Sequence, residues 1–502
     1  MTRQTTVKAL LPMLVLAFAA ANLPEPVRSF REVVRSKDIK TYSKAALALR
    51  RWMIENDPHC PIYHFTGPES WINDPNGVIY HKGKYHLFYQ FDPQLPDGRG
   101  GYTRSKRTWG HAASDDLVHW VDWPVAIWPD SPHDRGGVYS GNMAIDDDGI
   151  PTALYTGNVA GHRECYGMQA RSRDGFLTWE KKMVMDKRPI PESPVHWDAQ
   201  IWKDGDTWFQ LIGGCKAGKG AAQLWSSPDL DNWKYEKAIC SGLLGPYWEL
   251  PYLVPLDEKY VLFVGHGNPC WIGTYDKKTM TFTPDRREPQ WVDKGTYYSF
   301  NLHMTDDKGP DNARRQLMHG WVTGPPSPTK TVPYWQGAHS IPRVIRLEGD
   351  RLHQNPVPEI EVLRGKHYTF DDLTKADVLK DVRGDALEII ATFEPSDAKT
   401  AGLKLRVDRN GKAGATVLYH VAENTFSING RQQPAHVQLG GLVTMRVFLD
   451  RSIVEAYVNG NAQTARIFPP ADAIGLEVVT DAGKAKLTSL DVWEMKSMWE
   501  HQ

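Results

Sequence analysis

Short runs of alternating apolar and polar residues recur through the first two thirds of the chain, separated by polar turns. Runs of this length and period predict half-buried β-strands, and the turns between them, most of them glycine-bearing, predict hairpins. The second strands of these hairpins recur about 50 to 70 residues apart, a spacing typical of propeller blades with insertions. They are predicted at 85–91, 153–158, 208–214, 261–266 and 316–321.

A second motif recurs in phase with the hairpins. A serine, an aspartate and a tryptophan follow a predicted strand at 114–120, 172–179 and 227–233. The aspartate can cap a turn and the tryptophan can pack between blades, so most of these tryptophans are expected to be structural. Five such units over roughly 60–345 predict a five-bladed β-propeller. A single long β-sandwich is the alternative, but it does not explain the common phase of the two motifs.

The pattern changes near residue 350. A proline-containing and charged stretch is followed by alternating strands with turns such as Asn459-Gly460, which predict an antiparallel β-sandwich. The expected fold is therefore all-β, a five-bladed β-propeller followed by a C-terminal β-sandwich. The predicted boundaries are 1–21 for a signal peptide, 22–58 for a partly helical extension, 59–347 for the propeller, 348–384 for a linker or lead-in, and 385–502 for the sandwich.

The N-terminus carries Arg3 and Lys8 and then an apolar run from Ala9 to Ala21 that ends in small residues. This run is short for a bilayer span and predicts a secretory signal peptide, with an uncleaved anchor or a wrongly assigned start as alternatives. We therefore expect a secreted or periplasmic protein with no membrane span after cleavage of the signal.

Charge and cysteine usage exclude several partners. The formal net charge of -1 provides no basic field for nucleic acid or an anionic membrane. The five cysteines lack metal-ligand spacing, so they are interpreted mostly as buried apolar residues, with disulfides undecided. No metal and no cofactor are predicted, and the sequence indicates no oligomeric state.

Three acidic residues, Asp74, Asp198 and Glu249, stand at the same place in three of the repeated units, at the start of a hairpin. In a propeller these positions surround one mouth of the central channel. Three carboxylates facing one axis are costly to hold together, which favours a catalytic site over a structural one. The alternative is that Asp74 only caps its turn.

A carboxylate pair at such a mouth has the groups needed for sugar-bond cleavage with retention, namely a nucleophile and a general acid about 5–5.5 Å apart. Asp74 lies in a tight turn whose backbone N–H groups can keep it ionised, which suits a nucleophile. Glu249 lies among Trp248, Leu250 and other apolar residues that should raise its pKa, which suits a proton donor. Asp198 would then accept hydrogen bonds from substrate hydroxyls.

The segment Trp71-Ile72-Asn73-Asp74-Pro75-Asn76-Gly77 resembles the signature of glycoside hydrolase family 32, the β-fructofuranosidases. The segments around Gln90, Trp109, Ser140 and Glu249, and DRSIVEAYVNG in the sandwich, match that family in order over about 60–500. The resemblance implies the same propeller and sandwich, and it makes Asp74 the nucleophile, Asp198 the transition-state stabiliser and Glu249 the acid/base. It also implies that Asn73, Gln90, Trp109 and Ser140 line the fructose subsite.

Two positions depart from the family pattern. Its Arg-Asp-Pro motif reads Trp197-Asp198-Ala199 here, so a guanidinium that donates to substrate hydroxyls is missing. Arg163, His196 and Lys216 are candidates to replace it, and Trp197 itself can stack on a sugar. Its Glu-Cys pair reads Glu249-Leu250, which we expect to matter less. We also predict that Tyr298 is an aromatic substrate-binding residue at the rim of the site.

The sequence therefore predicts a secreted retaining hydrolase of β-fructofuranosidic bonds in fructans or sucrose. Two alternatives stay open. A fructosyltransferase that makes oligofructosides or difructose anhydride would use the same carboxylates with a sugar hydroxyl as acceptor. A non-catalytic fructan-binding propeller is suggested by the missing arginine, although the intact Asp74 and Glu249 count against it. In each case the partner is a fructose-containing oligo- or polysaccharide.

Overall fold

The structure is a computed structural model, and its described residues form two α-helices, short 3-10 helices and many strands. The predicted signal peptide lies outside the described residues. In the part of the chain that is described, neither helix combines the length and the apolar character needed to span a bilayer. The described residues are 23–98, 101–161, 164–186, 197–302, 304–329, 335–375, 377–438, 440–481 and 484–500, with the side chains of 197–199 and 311 excluded.

Five antiparallel sheets follow one another along the chain and form the blades of the predicted propeller. The first strand of each blade lies at the axis, and four of the five pairs of neighbouring first strands are in direct contact. The first three blades are β1 Ser70–His81, β2 Lys84–Asp92, β5 Thr108–Ser114 and β6 Trp120–Ile127; β7 Gly137–Ile145, β8 Pro151–Asn158, β9 Cys165–Arg171 and β10 Glu180–Met185; and β11 Trp197–Asp204, β12 Thr207–Lys216, β13 Lys219–Ser227 and β14 Lys234–Ser241.

The last two blades complete the ring. A short strand late in the chain, β23 Trp335–Gln336, pairs in parallel with β1 and so joins the fifth blade to the first. These blades are β15 Pro251–Leu256, β16 Lys259–Val264, β17 Pro269–Asp276 and β18 Thr281–Pro284, with β19 Gln290–Trp291; and β20 Tyr297–Asn301, β22 Arg315–Val322, β25 Arg343–Glu348 and β26 Arg351–Pro356, with β21 Thr305–Asp306 and β24 Ala338–His339. A separate hairpin, β3 Gln94–Pro96 with β4 Tyr102–Arg104, extends from the first blade.

The C-terminal part is a sandwich of two antiparallel sheets, so the all-β prediction of a propeller and a sandwich is confirmed. The stretch predicted as a linker contains β26 of the fifth blade and β27 of the sandwich, with a 3-10 helix at Pro358–Leu363 between them. The two sheets are β27 Arg364–Tyr368, β37 Lys486–Met495, β28 Ala386–Glu394, β33 Val443–Asp450, β34 Ile453–Val458 and β35 Asn461–Arg466; and β32 Arg431–Pro434, β31 Thr425–Ile428, β30 Ala415–His420, β29 Thr400–Val407 and β36 Gly475–Val479.

Two helices, α1 Glu25–Val33 and α2 Ile39–Asn56, precede the propeller. The Asp38 side chain caps α2 by accepting a hydrogen bond from the Thr41 backbone N–H at 2.8 Å. The fully buried Arg50 of α2 pairs with Asp122 of β6 at 2.7 Å, and its guanidinium lies 3.7 Å over the Trp499 ring. The helices are therefore attached to the first blade by a buried charge pair as well as by apolar packing.

The propeller and the sandwich meet at a buried network of charges. Arg343 of β25 is fully buried, and its Nη2 contacts Asp293 at 3.0 Å and Glu455 of the sandwich at 3.1 Å. His64 lies between Asp450 and Glu455, at 2.9 and 3.1 Å. Burial alone would lower the pKa of His64, but the hydrogen bonds to both carboxylates outweigh burial and raise it to about 9. The DRSIVEAYVNG motif, which includes Asp450 and Glu455, thus serves to hold the two domains together.

All five cysteines lie in described residues and none forms a disulfide, which settles the open question of pairing. Cys60, Cys165, Cys240 and Cys270 are buried, as expected for small apolar side chains, and Cys215 is half-buried.

Candidate active site

The first strands of the blades are irregular at the positions of the predicted site. An extra residue in an antiparallel pair bends the strand and redirects a side chain, which is why such irregularities occur next to active sites. Four of the five first strands have a register shift of this kind at a site position. The shifts lie between Ile72 and Pro75 around Asp74, between Val138 and Gly141 around Ser140, between Trp197 and Ala199 around Asp198, and between Tyr298 and Phe300 around Ser299.

The sequence of β1 explains its own irregularity. Pro75 has no N–H to donate to a ladder, and Gly77 has a φ of +47°, which glycine tolerates best. A Cβ at Gly77 would lie 3.2 Å from the Cβ of Met143 and 3.3 Å from the Trp109 ring. The Asn-Asp-Pro-Asn-Gly segment therefore forces a bend at Asp74 that an ordinary strand would not make.

Asp74 is almost fully buried and is held by side-chain donors. The Ser140 hydroxyl donates to Oδ2 at 2.6 Å and the Asn73 amide donates to Oδ1 at 3.1 Å, and the nearby Ser299 hydroxyl also acts to lower the pKa of Asp74. Burial raises the pKa of Asp74 to about 6, and the charge of Glu249 adds to the rise against the lowering effect of these donors. Asp74 thus remains largely ionised at pH 7, but with a higher pKa than the sequence led us to expect.

Glu249 lies just before β15, and its side chain is 25% exposed. The Tyr247 hydroxyl donates to Oε1 at 2.9 Å and the Tyr298 hydroxyl donates to Oε2 at 3.3 Å, while the Nδ1 atom of His266 lies 3.8 Å from Oε2. Burial acts to raise the pKa of Glu249, but the neighbouring His266 and the hydrogen bond from Tyr247 outweigh burial, so the pKa is lowered.

The pKa difference expected from the sequence is therefore wrong for this pair. The reason is that Trp248 and Leu250, the apolar neighbours of Glu249 in sequence, are buried in the core, only 2% exposed each, while the carboxylate itself contacts polar groups. Asp74, by contrast, has polar neighbours in sequence but lies deeper in the molecule. The charge of Glu249 contributes to the pKa of Asp74, which places the two carboxylates in one site.

Asp198 and Trp197 begin β11, where Trp197 pairs with Gly213 across the sheet. Their side chains lie outside the described set, as do Arg163 and His196, two of the candidates to replace the missing arginine. The backbone thus places Asp198 at the same irregular position of its strand as Asp74 and Ser140. Its role in holding substrate hydroxyls stays a prediction.

A cation that the sequence did not predict, Arg107, is connected to Asp74 through Gln90 and Ser140. Arg107 donates from Nε to the Gln90 side-chain oxygen at 2.9 Å, and the Gln90 amide in turn donates to the Ser140 hydroxyl, which donates to Asp74. The Arg107 guanidinium stacks 3.9 Å over the Trp71 ring. Its charge lowers the pKa of Asp74. Its place immediately before the matching segment, which begins at Thr108, was the signal that could have identified it.

We expect Arg107→Met to lower kcat/KM for a fructoside about 10- to 100-fold, because loss of a charged hydrogen bond costs about 1.5–3 kcal/mol. Without the hydrogen bond from Arg107, the Gln90 side-chain amide is no longer oriented toward Ser140. Arg35→Met is the matched control, since Arg35 is exposed and stacks 4.3 Å over Trp128, away from the site. Steady-state kinetics of the two variants tests this, and equal activity of both would rule out a role for Arg107.

The other predicted binding residues divide into two groups. Asn73, Gln90 and Ser140 are drawn together around Asp74, and Tyr298 lies at the rim against Glu249. Trp109, predicted to line the fructose subsite, is instead fully buried, and its indole N–H donates to the Tyr139 carbonyl at 2.9 Å. Since its ring packs in the core of the first two blades, Trp109 supports the site from behind and does not line it.

Comparison with known proteins agrees with this geometry. Residues 64–356 match the Glycosyl hydrolases family 32 N-terminal domain, and residues 359–494 match the Glycosyl hydrolases family 32 C terminal domain. A levanase of Bacillus subtilis is 30% identical over 501 residues, which cover 88% of this chain and 71% of that protein. A sucrose-6-phosphate hydrolase of Zymomonas mobilis is 28% identical over 520 residues, which cover 93% of this chain and 97% of that protein.

Solved structures share the fold. Fructan 1-exohydrolase IIa from Cichorium intybus aligns with a TM-score of 0.75 at 24% identity, covering 88% of this chain and 98% of that one. A sucrose-6-phosphate hydrolase from Lactobacillus gasseri aligns with a TM-score of 0.74 at 23% identity, covering 95% and 100%. The family matches span both domains of this chain. The chain therefore belongs to glycoside hydrolase family 32, as its motifs indicated, and is a glycosidase.

Proposed function

We propose that this protein is a secreted hydrolase that cleaves β-fructofuranosidic bonds with retention of configuration. The observation that carries the proposal is the placement of Asp74 and Glu249 in one site, each held by its own set of donors. A pair of carboxyl groups in one site can supply a nucleophile and a general acid.

In the first step, a carboxylate oxygen of Asp74 attacks the anomeric carbon of the fructosyl unit, while the Glu249 carboxyl gives its proton to the departing sugar oxygen. The bond to that oxygen breaks and a fructosyl ester of Asp74 remains. In the second step, Glu249 takes a proton from water, the water oxygen attacks the same carbon, and the Asp74 ester bond breaks. Ser140 and Ser299 stabilise the Asp74 carboxylate before attack and after release.

The names of the relatives suggest two classes of substrate, fructans and sucrose phosphate. One feature favours a substrate with a phosphate group on its leaving sugar. A cavity of about 600 Å³ adjoins the site at Trp71 and Tyr139, and its wall includes Arg104, Lys106 and Arg107. Asp92 pairs with Arg104 at 2.6 Å and neutralises part of this charge, leaving two positive charges in excess. A sugar phosphate is therefore the second candidate substrate.

The test is a panel of sucrose, sucrose 6-phosphate, inulin and levan, with the anomer of the released fructose followed by NMR at early times. Retention requires that β-fructofuranose appear first. Products longer than the substrate would support the fructosyltransferase alternative, and binding without turnover would support the non-catalytic one. Preference for sucrose 6-phosphate over sucrose that disappears in Arg104→Met would assign the phosphate to the cavity.

The proposal of secretion rests on the apolar run that follows Arg3 and Lys8 in the sequence. Expression of the whole chain should yield extracellular or periplasmic protein with a new N-terminus after the run. N-terminal sequencing of the mature protein checks this, and full-length protein retained in the cytosol would contradict it.

A further inference from the structure

A histidine outside the family motifs reaches the carboxylate proposed as the acid/base. His266 follows β16 of the fourth blade, and its Nδ1 atom lies 2.8 Å from the hydroxyl of Tyr298, which belongs to β20 of the fifth blade. The same hydroxyl donates to Oε2 of Glu249 at 3.3 Å, and the imidazole itself lies 3.8 Å from that oxygen. The side chains of His266, Tyr298 and Glu249 are thus connected in series across the interface between the fourth and fifth blades.

Exposure to solvent decreases from His266 to Glu249 and then to Asp74. The His266 side chain is 59% exposed and that of Glu249 is 25% exposed, while Asp74 is only 9% exposed. The imidazole is therefore in contact with solvent, and the carboxylates lie progressively deeper. After Glu249 has given its proton to the substrate, a proton from solvent can reach it through His266 and Tyr298.

We propose that His266 is a positioning residue for the acid/base step, which acts through Tyr298 to hold the Glu249 carboxylate and to control when it is protonated. The inference rests on the proposed roles of Asp74 and Glu249. His266 does not touch the reacting atoms. It stabilises the anion that Glu249 becomes when its proton passes to the leaving group.

The electrostatics of the site agree with the geometry. Contact with His266 lowers the pKa of Glu249, and the same contact raises the pKa of His266. The other ionisable groups that face Glu249 are Tyr247 on its own loop, Tyr298 on β20 and Asp74 on β1. When His266 is protonated, its imidazolium donates toward Tyr298 and faces Glu249. Among the described residues, no other cationic side chain contacts the Glu249 carboxylate.

The sign of the expected pH effect follows from the order of the two pKa values. The pKa of Glu249 is lowered and that of Asp74 is raised to about 6, so Glu249 is the group that titrates at the lower pH. The fall of kcat/KM on the acid side of the pH profile therefore follows the titration of Glu249, and the fall on the basic side follows that of Asp74. Loss of the imidazolium raises the pKa of Glu249. The acid limb should then move to higher pH, and the basic limb should move less.

The experiment compares the pH profiles of wild type, His266→Gln, Tyr298→Phe and the double variant. We expect the acid limb of His266→Gln to rise by about half a pH unit, the shift typical of losing a partly exposed ion pair. The double variant should shift by less than the sum of the single variants, because both act through one contact. His367→Gln is the matched control, since His367 pairs with Asp491 at 2.9 Å on the sandwich. An unchanged acid limb in His266→Gln would overturn the proposal.

A second measurement does not depend on activity. NMR titration of the His266 imidazole in wild type should give a pKa above 6.5, and Glu249→Gln should return it toward that value. An unchanged titration in Glu249→Gln would also overturn the proposal. If the titration moves but no fructoside is cleaved, the contact stands and the proposed function fails, so the two outcomes are distinguishable.

Discussion

Asp74→Ala should reduce fructose release by about a thousandfold or more, equivalent to ~4 kcal/mol of lost transition-state stabilisation, and sodium azide should partly restore turnover. The carboxylate that would form the covalent intermediate is gone, but a small anion can enter the space it leaves and attack the anomeric carbon directly. Since this is a single displacement, the fructosyl azide formed should have the inverted configuration.

Glu249→Ala provides the matching experiment. There the Asp74 ester still forms when the leaving group is good, and azide then attacks it from the opposite face, so the product should have the retained configuration. NMR of the two azide products distinguishes the roles of the two residues. Identical configurations would contradict the assignment. Asp115→Ala, which removes a 76% exposed carboxylate of the first blade, is the control for nonspecific loss.

Arg343→Met should lower the stability of the whole protein by about 3–5 kcal/mol, because it leaves Asp293 and Glu455 buried without their common partner. Arg343 also donates to Thr464 at 2.8 Å and stacks 4.2 Å over the Tyr297 ring, so its loss affects both domains. A fall of several degrees in the midpoint of thermal unfolding, measured by calorimetry, is the expected result.

Two further variants isolate the cause of that fall. Arg346→Met removes an exposed guanidinium from the same strand and should change the midpoint little. Adding Asp293→Asn and Glu455→Gln to Arg343→Met should recover part of the lost stability, because the buried negative charges that had lost Arg343 are then absent. If Arg343→Met and Arg346→Met unfold at the same temperature, the network does not contribute to stability.

The sequence predicted the propeller and the sandwich, because strand period and repeat phase are local properties. The place of Asn73, Gln90 and Ser140 in one site with Asp74 was implied by the family resemblance of their motifs. It did not predict the pKa order of Asp74 and Glu249. That order depends on depth below the surface and on Tyr247, Tyr298 and His266, which come from separate segments.

The positions of three other residues could not be obtained from sequence alone. Trp109 belongs to a matching motif, but a motif does not tell whether an indole faces the ligand or the core. Ser299 stands in the fifth repeat at a position equivalent to that of Asp74, but its effect on the pKa of Asp74 depends on the bend of β20, which the sequence does not show. Arg107 likewise needed the fold, since its contact with Gln90 joins two neighbouring strands.

The irregular first strands have a consequence for how such enzymes diverge. In four of the five blades a site residue lies at or beside an extra residue in its own first strand, and the rest of the blade is held by its outer strands and by the core. Replacement of one of these side chains should therefore alter recognition at little cost in folding free energy. Trp197 in place of an arginine is a change of that kind, and substrate preference can drift through such single positions while the scaffold stays the same.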